Sequence, residues 1–306
     1  MTTTSSQGPS APDSSVSPVR VAVIQFAPQA GLENRAANSE RALALASQAV
    51  EDGATLIVLP ELATTGYSFR DRAEAYDHAE SVPAGETVRG WESFARRHGV
   101  YVVGGLAERD GVRLYDTAVL VGPDGYVGRY RKAHLWNEEK LWFTPGDLGF
   151  PVFETRIGRI GLLVCWDIWF PEAPRLLAQQ GADIICSVNN WVWTPPPIFD
   201  ESGRCMASYL TMTAAHVNNV FIAAANRVGT DRGARFLGCS LIAGTNGWPI
   251  GRVAGAEEET ILTADIDVVS ARSAPIWTPL NDLIRDRRTD LYDSMLGYTR
   301  SPAAPR

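Results

Sequence analysis

Twice along its 306 residues the chain alternates short apolar runs with longer stretches of helical period, a pattern that calls for sheets covered by helices. In the first half "VRVAVIQFAP" and "TLIVLPE" read as strands. Between them "NRAANSERALALASQAVEDG" reads as an amphipathic helix closed by glycine. A helix over "GETVRGWESFARRHG" leads into three paired strands, "VYVVGGLAE", "LYDTAVLVGP" and "GYVGRYRKAHL", the last two joined by a "GPDG" turn. The second half repeats the pattern. "RIGLLVCWD", "DIICSVNN" and "VFIAAANRV" are strands, with helices over "FPEAPRLLAQQGA" and "RCMASYLTMTAAHVNN" between them, and "FLGCSLIAG" and "TILTADIDV" close the fold. The expected class is α/β, a sandwich with sheets inside and helices outside.

No linker divides the chain, so one domain is expected over residues 19–270. The first 18 residues are rich in Ser, Thr and Pro, lack the marks of a signal peptide, and read as a disordered tail. Residues 271–306 are polar and aromatic, and are expected to pack on a partner subunit. A formal net charge of −7 argues against a nucleic-acid partner, and no apolar run approaches a membrane span. The four cysteines form no C-x-x-C pair and the four histidines no ligand spacing with them, so neither a metal nor any other cofactor is expected. A reducing, cytoplasmic setting fits that usage.

Three strand ends carry a reactive group: Glu61 after Pro60, Lys132 after "GRYR", and Cys165 after "GLLV". Singly, each has an ordinary reading. Glu61 could be a helix-terminal acid, Lys132 part of a solvated basic stretch with Arg129 and Arg131, and Cys165 a core thiol. Together they make chemical sense. A carboxylate in a desolvated crevice can take a thiol proton, and an ammonium can stabilise the oxyanion formed when sulfur adds to a carbonyl or nitrile carbon.

The motifs "LPELATTGY", "YRKAHLW" and "CWDIWFPEAPR", in that order, resemble the nitrilase superfamily of carbon–nitrogen hydrolases over about residues 19–295. The resemblance implies a four-layer α-β-β-α sandwich, commonly paired into an eight-layer homodimer or a larger homo-oligomer. It also implies Cys165 as nucleophile through a thioester, and Lys132 with the backbone N–H of Trp166 as oxyanion donors. Glu61 would be the base, and a further glutamate, Glu139 in preference to Glu138, would position substrate and Lys132. His134, two residues beyond Lys132, should share its side of the strand.

Asp167 follows the Cys-Trp pair where many nitrilases carry Glu, which favours the amidase and N-carbamoyl-amine branches; Asp167 also reads as a turn-stabilising side chain. Tyr67, Trp136, Trp142, Asn190, Trp191 and Trp193 are the candidate pocket wall, with "NNWVWTPPP" as a loop over the site. Asp200 and Glu201 could receive a cationic substrate end, and Arg204, Arg227 or Arg235 an anionic one. The expected reaction is hydrolysis of a small linear amide to acid and ammonia. A small nitrile or an N-carbamoyl amine is the alternative substrate, and a catalytically silent binding protein the alternative class.

Overall fold

The computed structural model describes residues 18–193, 196, 198–273, 276–278 and 280–296. The tail expected over residues 1–18 falls outside these except for Pro18, and so do parts of the 194–197 loop and of the C-terminal extension.

Six strands form the first sheet: β1 (Val19–Gln25), β2 (Leu56–Val58), β3 (Tyr101–Asp110), β4 (Arg113–Gly122), β5 (Gly125–Arg131) and β13 (Thr260–Ile266). Their spatial order is β13-β1-β2-β3-β4-β5, with β1, β2 and β3 parallel and the other pairs antiparallel. The second sheet contains β6 (Val152–Thr155), β7 (Gly158–Val164), β8 (Ile184–Val188), β9 (Phe221–Ala225) and β12 (Leu241–Ala243). It runs β12-β9-β8-β7-β6 around a parallel β7-β8-β9 centre. A two-residue-per-strand hairpin, β10 (Thr230–Asp231) with β11 (Ala234–Arg235), stands apart from both sheets.

Period-two alternation explains why the sheets stack. Val21, Val23, Leu56, Val58, Val103 and Leu120 join a core shared with Leu162, Val164 and Ile185 of the second sheet. Their neighbours Ala22, Ile24, Ile57, Val102, Val119 and Val121 face the other way, onto Leu45, Ala49, Trp91 and Phe94. Those four belong to α1 (Arg35–Glu51) and α3 (Glu86–His98), between which lies the short α2 (Arg72–His78). A single turn, α4 (Glu139–Trp142), precedes β6. α5 (Glu172–Gln179) and α6 (Met206–Asn218) cover the outer face of the second sheet through Leu177, Met212 and Ala215. The result is the expected four-layer α-β-β-α sandwich.

Helix ends follow their sequence signals. α3 opens on Glu86, ends in Arg96, Arg97 and His98, and stops at Gly99 in the left-handed region, φ 69°. One expected strand is shorter than its apolar run. "FLGCSLIAG" pairs only over β12, because Gly238 and Cys239 take φ of 58° and 57° and turn the chain out of extended geometry. Beyond β13, the described chain ends with α7 (Val268–Ser273), β14 (Ile276–Thr278), β15 (Asn281–Asp282) and α8 (Thr289–Leu296), leaving Leu280 and Leu291 exposed. No helix among the described residues is long and apolar enough to cross a membrane.

Candidate active site

Glu61 stands two residues past Leu59, where the chain leaves β2 and bends against β3. Gly105 accepts this bend: its N–H donates to the Pro60 carbonyl at 3.1 Å, and its own carbonyl accepts from Ala63 N–H at 2.9 Å. A Cβ at Gly105 would lie 2.5 Å from Glu61 Cα, so only glycine lets the strand pass this close. Lys132 follows the last residue of β5, its N–H still bonded to the Asp116 carbonyl at 2.8 Å. Glu139 is brought in by α4 and is buried, whereas Glu138 stays exposed.

These side chains converge. Lys132 Nζ lies 2.6 Å from Glu61 Oε1, 2.7 Å from Glu139 Oε1 and 3.4 Å from Asp116 Oδ2. Glu139 also accepts from Tyr67 OH at 2.7 Å and from Trp136 N–H at 2.8 Å. The three carboxyl groups are close enough to hold a metal ion, but the Lys132 ammonium already sits among them. The position a metal ion would take is therefore already occupied by a cation of the protein itself.

Cys165 opens the 3-10 turn Cys165–Trp169 directly after β7, with φ 47°. A non-glycine residue in that region costs on the order of 1–3 kcal/mol and persists only where its surroundings impose it. Asp167 supplies much of that constraint: its Oδ2 accepts from Val164 N–H at 3.1 Å and Tyr130 OH at 2.9 Å, and its Oδ1 from His134 N–H at 3.1 Å. The turn-stabilising reading of Asp167 holds. His134 departs from expectation. β5 ends at Arg131, strand alternation no longer applies, and the His134 ring stacks on Phe170 with Nδ1 2.7 Å from Asp167.

Asn190 borders the same cavity as Cys165, and its side-chain Nδ2 donates to the Glu61 backbone carbonyl at 3.0 Å. Since a carbonyl can only accept, Nδ2 is fixed in that position and Oδ1 is left unpaired. Cys165, Asn190, Trp136, Trp166 and Trp191 line a cavity of about 80 Å³, closed further by Trp169, Val192, Ile198, Cys205, Met206, Ala207 and Leu237. An outer cavity of about 330 Å³ meets it at Trp136 and Val192 and is lined by Tyr67, Glu139, Trp142, Trp193 and Arg235, among others. Every residue singled out in the sequence for the pocket wall therefore borders one of the two cavities.

Electrostatics follow from burial. Desolvation pushes the Glu61 and Glu139 carboxyls above their ordinary range, and the Lys132 charge opposes it. For Lys132, burial alone would lower the ammonium, but Glu139 and Glu61 reverse this and hold it well above its usual value. Burial, then the Glu61 charge, pushes the Cys165 thiol well up, so sulfur rests protonated.

Several sequence readings are corrected. Arg131 is not solvated: it is buried, pairs with Glu108 at 2.6 Å, and stacks on Tyr115. Arg227 is unavailable to a substrate anion, being buried against Asp231 at 3.0 Å and Pro28 O at 2.6 Å, and desolvation draws it down to about 10. Asp200 caps its own turn through Ser202 and Arg204 N–H. Asp200, Glu201 and Arg204 border neither cavity. Asp116, Trp169, Met206 and Leu237 were not foreseen. Only Asp116 leaves a sequence signal, an acid in the middle of the otherwise apolar "LYDTAVLVG".

A thiol, an ammonium and two carboxyls gathered at the strand ends of an α-β-β-α sandwich outline an enzyme of the nitrilase superfamily. The chain belongs to its carbon–nitrogen hydrolase family, whose family model matches residues 20–276. It is 41% identical to a protein named nitrilase from Pyrococcus abyssi, over 90% of this chain and 99% of that one. It is 33% identical to the N-carbamoylputrescine amidase of Solanum lycopersicum, over 91% and 95%. A solved variant of the amidase from Nesterenkonia sp. AN1 superposes with TM-score 0.73 at 25% identity, over 90% of this chain and 99% of that one. That structure shows the Michael addition of acrylamide at the active-site cysteine.

Proposed function

We propose that this protein hydrolyses a small, uncharged amide to the acid and ammonia through a thioester on Cys165. One observation carries the reading: Lys132 Nζ is shared between Glu61 and Glu139 at 2.6 and 2.7 Å, beside a small cavity lined by Cys165. Glu61 takes the thiol proton as sulfur adds to the carbonyl carbon. The oxyanion is stabilised by the Lys132 ammonium and the Trp166 N–H; each such donor is typically worth about 10²–10³ in rate. Glu61 returns the proton to the departing nitrogen, ammonia leaves, and Glu61 then activates the water that hydrolyses the thioester. Glu139, fixed by Tyr67 and the Trp136 N–H, holds Lys132 in line.

The cavity wall supports an uncharged acyl group. No Asp, Glu, Lys or Arg borders the Cys165 cavity among the described residues, and Arg227 and Asp231 are spent on each other. A small nitrile is the second reading, favoured by the name of the Pyrococcus abyssi relative. A homodimer over the C-terminal extension belongs to the same proposal, supported by the exposed Leu280 and Leu291.

The test is ammonia release by the full-length protein from propionamide, benzamide, the matching nitriles and N-carbamoyl amines. Turnover of the amides ahead of the others is the expected result. Rapid nitrile hydrolysis without amide turnover would replace this reading by the second one.

A further inference from the structure

The mechanism above leaves one buried acid without a task. Asp116 projects from β4 into the cluster, fully buried, and is the third carboxyl around a single ammonium. With all three ionised, the sealed cluster would carry two uncompensated negative charges, which a low-dielectric site does not tolerate. The remaining ionisable groups facing it do not restore balance. Cys165 and Tyr67 are neutral there, Arg131 is committed to Glu108, Asp110 and Asp147, and Arg227 to Asp231.

Geometry says where a proton resides. Glu139 accepts three donors, from Lys132, Tyr67 and Trp136, and is thereby held as carboxylate. Glu61 takes the shortest contact with Lys132, and Asp116 the longest, at 3.4 Å. Glu61 Oε2 and Asp116 Oδ1 are both buried and receive no donor from the described residues, and the two carboxyl groups bring an oxygen each within 4.8 Å of the other. Two carboxyl oxygens can bond each other only through a proton.

We propose that Asp116 is a positioning residue that stays protonated in the folded protein and donates its hydrogen bond to Glu61, keeping Glu61 ionised as a base. Burial, followed by the Glu61 charge, drives the Asp116 carboxyl well above the ordinary range, while the bond it donates pulls Glu61 down. Asp116 exchanges no proton with substrate. It acts as a neutral donor, which an amide side chain could replace.

The protonation claim stands on the cluster alone; the consequence for Glu61 rests on the function proposed above. Both are tested on the full-length chain. An infrared difference spectrum of wild type against Asp116→Asn at neutral pH should lose the C=O band of a protonated carboxylic acid. Asp116→Asn should keep kcat/KM within about threefold, with its acid limb unmoved, since the amide restores the donor. Asp116→Ala should lose about 10- to 100-fold at neutral pH and move that limb up by about one pH unit. Absence of the infrared band, or a limb moved to lower pH by Asp116→Asn, would show an ionised Asp116 and overturn the proposal. A protein inactive on every amide would defeat the functional reading, while the infrared band would still decide the protonation.

Discussion

Asp167 Oδ2 lies 3.1 Å from the Val164 N–H, so the carboxylate reaches back across Cys165 and ties the end of β7 to the turn that follows it. This contact, with the one to Tyr130, holds the left-handed backbone of Cys165 in place. Asp167→Ala would leave two buried donors unpaired, at about 1–3 kcal/mol each. A fall in stability of roughly 2–6 kcal/mol in denaturant unfolding is expected. Asp167→Glu keeps the charge but carries the carboxyl one methylene too far, and should lower kcat more than it raises KM.

Lys132 is the common partner of both glutamates. Lys132→Met should remove an oxyanion donor and the counter-charge together, costing about 10³-fold or more in kcat. Glu139→Gln is milder. It retains an acceptor for Lys132 and Tyr67 but offers N–H where the Trp136 N–H needs an acceptor, and a loss of about 10- to 100-fold in kcat is expected. Steady-state ammonia release measures both.

The pH profile follows from the sign of the Glu61 shift. Burial raises that carboxyl, so it protonates on acidification before an ordinary glutamate would, at about 4.3. The acid limb of kcat/KM is expected above that value. Lys132 is held charged well beyond neutrality, so no loss from its deprotonation is expected between neutral pH and its ordinary range. The same raised carboxyls bind protons more tightly folded than unfolded, so their contribution to stability declines as pH rises through the raised values.

Glu74 behaves oppositely. Hydrogen bonds from Arg232 at 2.5 and 2.7 Å hold it down to about 2. Its stabilisation is complete above the unfolded value and disappears as pH falls from there through about 2. Arg232→Ala should cost about 1 kcal/mol at neutral pH and narrow acid tolerance, read by thermal unfolding at pH 7 and pH 3.

Glu61 and Cys165 were legible because each ends an apolar run, and Lys132 because it follows the strand-like "GYVGRYR"; a strand that stops at a reactive side chain marks an end opening on a crevice. Glu139 was legible from its motif, and its burial separates it from Glu138. Met206 and Leu237 were not. They reach the Cys165 cavity from α6 and from the loop before β12, and no local pattern connects such distant residues. Arg227 misled for a related reason. Its partners, Asp231 and the Pro28 carbonyl, are supplied by tertiary folding, so a residue that reads as a free cation is a buried strut. Asp167 read correctly because its partner, the Val164 N–H, is only three residues away.

The most direct measurement is rapid-quench intact-mass analysis of the full-length protein during turnover of a primary amide. One acyl group should appear on the peptide carrying Cys165, with Cys165→Ala showing neither adduct nor ammonia. Ammonia release by Cys165→Ala, or turnover in which the sulfur never carries the acyl mass, would contradict the thioester route.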